Sequence, residues 1–401
     1  MNTQATMVVL FCVATAIAIV VRRLAIPYTV ALVVAGLGLG SLRLVSPPHL
    51  TRELLFTLFL PGLLFEAAFH LDRDALRRTW RGVTLLSVPG VALSITITAA
   101  ITLAGFAVLG SSAGLGWSAA IVFGALVAAT DPVAVTALFR EIHAPARLTT
   151  LVEAESLFND GTSIVFLGLV LAAVAGGEWS VGAAIPGFAL IAGGGLLIGA
   201  VVGWAVTRVI HQVDDPMIEL ALTTIAAFGS FALADGLGLS GVLATVVAGI
   251  ICASHGRDTA MSPASRAAAE IFWEYMGFAL NSIVFLLIGL EVQVSQLAGA
   301  WREIVIGFAA MTIARVVMVV LLALVLRPGA ERLPRAWSAV LMWGGLRGAL
   351  SMVLALSLPL TLPHRDALVA MTVGAVVGSL LVQGLTMPVL VRALDIGDGS
   401  A

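Results

Sequence analysis

Residues 127–135 read VAATDPVAV, and residues 153–166 read EAESLFNDGTSIVF. Both stretches set acids inside otherwise apolar runs. A charge at the centre of a bilayer costs about 2.5–3.5 kcal/mol on insertion scales, so each needs a partner, a ligand or water. The rest of the chain says that the solvent is indeed lipid. Of its 401 residues 60% are hydrophobic and 11% charged, with a mean hydropathy of +1.08. A soluble domain carries roughly 25% charged residues. The 41 glycines suit membrane helices, where small residues let backbones approach closely.

Reading outward with a ruler of about 20 apolar residues per crossing gives thirteen candidate spans. They are 4–21, 25–42, 51–70, 83–109, 116–139, 148–176, 181–209, 217–236, 239–255, 270–291, 302–326, 335–358 and 365–392. This is an all-α polytopic membrane protein. Every basic residue is Arg, and their distribution tests the count by the positive-inside rule. Fifteen arginines fall in loops after odd-numbered spans: 22, 23, 73, 77, 78, 81, 140, 147, 208, 257, 266, 327, 332, 335 and 392. Four lie on the other side, Arg43, Arg52, Arg302 and Arg365, and Arg315 and Arg347 lie within spans. The N-terminus is therefore expected outside and the C-terminus in the cytoplasm. The first span has no basic stretch before it, so it reads as a membrane helix and not as a cleaved leader. No soluble regulatory domain is expected. The net charge of −2 speaks against nucleic acid. Cys12 and Cys252 lie in separate apolar runs and suggest neither a disulfide nor a metal site.

Thirteen spans divide into a first repeat (about 1–176), a linking helix (about 181–209) and a second repeat (about 217–392). The fifth helix of the first six contains VAATDPVAV; the fifth of the last six contains WGGLRGALS (343–351). Pro132 cannot donate to the carbonyl of Ala128, and paired glycines weaken a helix. Interrupted helices at matching positions of two halves point to a transporter's binding site.

The residues there suit a small cation. Na⁺ is hard and takes oxygen ligands. Ser156 and Asp160 are i, i+4 and share a helix face. Glu155 lies about 140° away from Asp160, at about 100° per residue, and needs a partner of its own. Arg347 is the natural candidate, because a buried guanidinium needs a carboxylate as well. A carboxylate in a desolvated pocket holds a proton or a cation, but not both well. That competition yields exchange if the site alternates between the two sides of the membrane.

Four segments, FLPGLLFEAAF (59–69), ATDPVAV (129–135), EAESLFNDGTSIV (153–165) and GGLRGALS (344–351), resemble the NhaP branch of the monovalent cation:proton antiporter-1 family, to which the animal sodium–proton exchangers also belong. The resemblance covers essentially the whole chain. It implies a thirteen-helix inverted-repeat fold of the NhaA/NhaP-like antiporter type, with a dimerisation domain and a core, hence a homodimer in a bacterial or archaeal cell membrane serving pH and sodium homeostasis. It implies that Asp160 is the principal ion- and proton-binding carboxylate. Asp131, Glu66, Ser156 and the Thr130 carbonyl would complete the Na⁺ site. Asn159 would organise the broken helix near Thr130, and Glu155 and Arg347 would form an ion pair holding the core. The Asn159–Asp160 pair stands where electrogenic relatives carry two Asp, which implies electroneutral exchange of Na⁺ (or Li⁺) for H⁺. Gly62 follows Pro61 where relatives often have a second Pro. No cofactor is implied; the monovalent cation and the proton are cargo.

Within transport, K⁺/H⁺ or broad monovalent cation exchange stays open. From another class, Gly238-Leu239-Ser240-Gly241 matches the GxSG pattern of intramembrane proteases, but no histidine base lies in a later membrane helix. Asp214–Asp215 before Pro216 read as a helix start. Gly36, Gly38 and Gly40 read as helix packing. Arg315 receives no role, and the Arg73–Arg81 cluster reads as an orientation signal in contact with lipid.

Overall fold

The computed structural model describes residues 3–21, 27–42, 52–109, 115–176, 181–257, 260–292, 294–327, 329 and 331–396. Arg22, Arg23 and Arg43 of the charge count lie outside the described residues. Among the described residues every regular element is helical. The main ones are α1 (Thr3–Val21), α2 (Tyr28–Ser41), α3 (Phe56–His70), α4 (Arg73–Val108), α5 (Trp117–Leu126), α6 (Val133–Glu141), α7 (Ala146–Gly176) and α8 (Val181–Ile210). They continue as α9 (Pro216–Gly236), α10 (Gly241–Arg257), α11 (Pro263–Glu291), α12 (Trp301–Val325), α13 (Arg335–Trp343), α14 (Ala349–Leu356) and α15 (Arg365–Ala393). Each of the thirteen candidate spans coincides with helix. Seven of these helices are long and apolar enough to cross a membrane: α4, α7, α8, α9, α11, α12 and α15. The fifth and twelfth candidates are each two half-helices, α5–α6 and α13–α14.

Helix ends follow the local sequence. Asp72 caps α4 by accepting from the Ala75 N–H (2.8 Å). Asp215 caps α9 by accepting from Met217 and Ile218, with Pro216 in the first turn, as polar caps and N1 prolines do. Ser240 accepts from Leu243 N–H at the start of α10. The serine of the GxSG match thus serves as a helix cap.

Two packing groups follow. Helices α1–α3 pack with α8–α11, and α4, α5 and α7 pack with α12–α15. In the first group α2 and α11 approach closely. A Cβ on Gly36 would overlap the Leu286 carbonyl, and one on Gly289 would overlap that of Val33. Only glycine permits this crossing, the small-residue contact typical of membrane helices. The outer face of α8 exposes Ile185, Leu190, Leu197, Val201 and Trp204. Pro89 lies in a π turn over Leu86–Gly90 within α4. On this turn Ser87 faces α7: Thr162 donates to its carbonyl (2.5 Å), and its hydroxyl donates to the Glu155 carbonyl (3.3 Å). This fixes the middle of α7, where the acids lie.

Candidate functional site

Helix α5 stops at Leu126, and α6 starts at Val133 with Pro132 at its cap. The intervening backbone cannot close a helical ladder through Pro132. Helix α13 stops at Trp343, and α14 starts at Ala349 behind Gly348. The two breaks meet: the Asp131 N–H donates to the Leu346 carbonyl (2.8 Å). Arg347 is buried; its Nη1 donates to the carbonyls of Ala128 (2.7 Å) and Ala129 (2.9 Å), at the C-terminal end of α5. A cation there meets the negative end of the half-helix. The Ala128 carbonyl is freed as Pro132 foretells, and a guanidinium occupies it.

Glu155 does not pair with Arg347. It takes a two-pronged ion pair from Arg315 of α12, Nη1 to Oε1 at 2.8 Å and Nη2 to Oε2 at 3.0 Å. The Arg315 Nε donates to the Leu341 carbonyl (2.8 Å), so all three nitrogens of that guanidinium donate. The reason for the exchange of partners is geometric. Arg347 sits in a break, beside carbonyls with no helical donor, and it is consumed there. Arg315 emerges from an intact helix facing α7; it donates to the Leu341 carbonyl through Nε alone, which leaves both Nη groups of its planar fork for a carboxylate.

Asn159 ties the first break to α7. Its Nδ2 donates to Thr130 Oγ1 (2.7 Å) and to Glu155 Oε1 (2.7 Å), and its Oδ1 accepts from the Thr130 N–H (3.3 Å). Ser156 donates to the Thr130 carbonyl (2.5 Å). Asp131 accepts from the Val133 N–H (3.0 Å) through Oδ1. Glu66, on α3, sits 3.3 Å from His70 Nδ1.

Glu66, Thr130, Asp131, Ser156 and Asp160 line one cavity of about 440 Å³. Its wall also includes Arg140, Glu153 and Glu274, and Arg140 reaches to 3.8 Å of Glu153. Among the described residues no side chain or N–H donates to the Asp160 carboxylate. Helices α3 and α7 and the α5–α6 break thus bring four acidic or hydroxyl side chains and a freed carbonyl to one space. Glu155, Asn159 and Arg347 lie behind it and hold it. The arrangement offers a small cation oxygen ligands only, and it offers a proton at least one carboxylate that protein donors do not already hold. Sequence reading missed Arg315 as the partner of Glu155, and it missed the Ser87–Thr162 brace, for which Pro89 within a span was the available signal.

A helical membrane protein with two broken helices crossing at a carboxylate-lined cavity is a secondary transporter, not an enzyme. The chain belongs to the sodium/hydrogen exchanger, transmembrane family, whose profile matches residues 8–393. It is 39% identical over 379 residues to the Na⁺/H⁺ antiporter ApNhaP of Aphanothece halophytica, covering 93% of this chain and 71% of that protein. It is 38% identical over 352 residues to the Na⁺/H⁺ antiporter NhaP of Pseudomonas aeruginosa, covering 86% and 82%. Its fold matches the structure of the sodium proton antiporter MjNhaP1 from Methanocaldococcus jannaschii with a TM-score of 0.73, at 18% identity and over 96% of this chain and 100% of that one.

Proposed function

We propose that this protein exchanges Na⁺ (or Li⁺) for H⁺ by alternating access, one for one, with cation and proton competing for Asp160. The observation that carries the proposal is the cavity shared by Glu66, Thr130, Asp131, Ser156 and Asp160, in which no donor among the described residues holds the Asp160 carboxylate. Deprotonated Asp160, with the Asp131 and Glu66 carboxylates, the Ser156 hydroxyl and the Thr130 carbonyl, holds the dehydrated cation. After reorientation the cation leaves, Asp160 takes a proton from the opposite side, and the protonated site returns. Site-organising Asn159 and Pro132 keep Thr130 and Asp131 turned into the cavity. Electroneutrality rests on Asn159, which contributes an amide where a second carboxylate would add a second charge.

The reading extends to arrangement. The chain is one membrane domain of two inverted repeats, 1–176 and 217–392, joined by a linking helix. It sits as a homodimer in the cell membrane, N-terminus outside and C-terminus cytoplasmic. The arginine distribution supports that orientation. It puts the Arg140–Glu153 wall of the cavity toward the cytoplasm.

A pH-sensitive dye in proteoliposomes tests this, with Na⁺, Li⁺ and K⁺ added in turn. Proton movement is expected with Na⁺ and Li⁺; movement with K⁺ as strong as with Na⁺ would replace the ion preference, and movement with none of the three would end the antiporter reading. Asp160→Asn is expected to insert normally and exchange nothing. Under a clamped membrane potential the rate is expected not to vary with voltage.

A further inference from the structure

Outside the ion site, one surface of the second packing group collects positive charge that no carboxylate among the described residues pairs with. Helix α4 begins as an amphipathic turn pair. Ala75, Thr79, Gly82 and Val83 are buried, while Arg77, Arg78, Trp80 and Arg81 face outward. Arg77, Arg78, Trp80 and Arg81 line a concavity of about 580 Å³ together with Arg147, from the first turn of α7, and Glu331, from the segment before α13. Among the described residues none of these four arginines has a carboxylate within ion-pair distance. Glu331 is the one acid in the wall, and its Oε2 already accepts from the Gly82 N–H (2.9 Å). Asp72 and Asp74 precede the arginines on α4; Asp72 is held as the helix cap. Arg147 is fixed in place, with its guanidinium over the Trp337 ring (5.3 Å) and a bond to the Arg332 carbonyl (3.5 Å). Four guanidiniums around one space, one of them pre-set, match the oxygens of a phosphate.

The concavity continues into a second, of about 570 Å³, that shares Trp80, Arg81 and Glu331 with it. The far wall of this second space is apolar: Leu85, Val325 and Leu326. Trp80 stands between the two, 53% exposed, where an indole prefers the boundary between headgroups and hydrocarbon. Free inorganic phosphate would use the arginines and leave the apolar space empty. A lipid uses both.

We propose that this paired concavity is a site for the phosphodiester headgroup of an anionic phospholipid, with the start of its acyl chains along Leu85 and Val325. The bound lipid joins α4, the first turn of α7 and the segment before α13. It therefore braces the outer end of the helix whose middle carries Asn159 and Asp160.

The test uses the full chain in neutral detergent, stripped of lipid, with phosphatidylglycerol, phosphatidylcholine and inorganic phosphate as probes. Retained lipid is read by native mass spectrometry, and affinity by the shift in melting temperature. Phosphatidylglycerol is expected to be retained on the wild type and phosphatidylcholine lost. Arg77→Gln/Arg81→Gln should weaken phosphatidylglycerol binding by about tenfold or more, in line with the attraction of surface arginines for anionic lipid. Arg208→Gln/Arg302→Gln removes equal charge elsewhere and should leave binding unchanged. Both α4 arginines are exposed, so the lipid-free variant should melt with the wild type; if it does not, Arg78→Gln on the same rim carries the test with a smaller loss. Equal retention of both lipids, equal weakening in the two double variants, or full displacement of the lipid by millimolar inorganic phosphate would overturn the proposal.

Discussion

The pairing of Glu155 with Arg315, and not with Arg347, has a thermodynamic signature that a double-mutant cycle reads directly. Arg315→Met leaves the buried Glu155 carboxylate with only the Asn159 amide as donor (2.7 Å), and leaves the Leu341 carbonyl without its guanidinium. Removing one partner of a buried ion pair costs about 3–5 kcal/mol, and a bared buried acceptor adds about 1–3 kcal/mol. The remaining Asn159 bond offsets part of this, so the single substitution should cost about 4–6 kcal/mol. Glu155→Leu strands a buried guanidinium and should cost a similar amount. The double variant removes both charges. It pays neither desolvation cost and should lose only about 2–4 kcal/mol, mostly from the bared Leu341 carbonyl and Asn159 amide. The coupling between 155 and 315, the two single losses less the double, is therefore expected at about 7 kcal/mol, above the roughly 0.5–3 kcal/mol usual for neighbours because the pair is buried and charged. Arg347 bonds to the Ala128 and Ala129 carbonyls, so its coupling to Glu155 in the parallel cycle should stay below about 1 kcal/mol. Reversible unfolding in mixed micelles, followed by tryptophan fluorescence, gives all the corners. A 155–347 coupling equal to or larger than the 155–315 coupling would refute the assignment.

Asn159→Asp should not convert the carrier to an electrogenic one but should inactivate it, because the new carboxylate replaces an amide that donates 2.7 Å to Glu155 and would set two buried charges against each other; voltage-clamped vesicles check it. Gly348→Ala should cut the exchange rate by tenfold or more, since a Cβ there would overlap the Asp131 carboxylate, and overpacking a tight site costs about 1–3 kcal/mol; the dye assay reads it against the wild-type expression level. If cation and proton compete at one carboxylate, then on the acid side of its titration each unit fall in pH should raise the apparent KM for Na⁺ about tenfold with the maximal rate unchanged, and a fall in maximal rate at constant KM would contradict competition.

What the sequence made legible has a physical pattern. The spans were readable because hydrocarbon thickness sets helix length, and all thirteen candidates coincide with helix. The shared face of Ser156 and Asp160 was readable because helical spacing is local, and both residues line the cavity. The identity of the partner of Glu155 was not readable. Two buried arginines competed for it, and the choice depends on which one faces unpaired carbonyls, a property of how α5 and α13 end beside each other. Pro132 announced the freed carbonyl of Ala128 but not its occupant. The π turn at Leu86–Gly90 was also hidden, because a proline in a membrane helix is compatible with several local geometries, and only the placement of Thr162 shows which carbonyl it exposes.

The two breaks also divide the work between the two aspartates. Arg347 takes up the negative end of α5. Asp131 sits at the opposite polarity: its carboxylate accepts from Val133 at the first turn of α6, and it lies against Gly348, the cap of α14. Helix N-termini stabilise a negative charge, so Asp131 has internal compensation for its charge whether or not a cation is present. Asp160 lies mid-helix on α7, where the backbone offers it neither N–H nor dipole end. Among the described residues no donor holds its carboxylate, which supports the proposal that cation and proton compete there. Neutralising the two should then differ in kind. Asp131→Asn keeps an oxygen in the cavity and the break's geometry; it should raise the KM for Na⁺ by roughly 10- to 150-fold, the loss of one charge-assisted ligand at about 1.5–3 kcal/mol, and leave measurable exchange. Asp160→Asn should leave none at any Na⁺ concentration. Residual, saturable exchange in Asp160→Asn alongside a dead Asp131→Asn would show that the compensated carboxylate, and not the bare one, carries the proton.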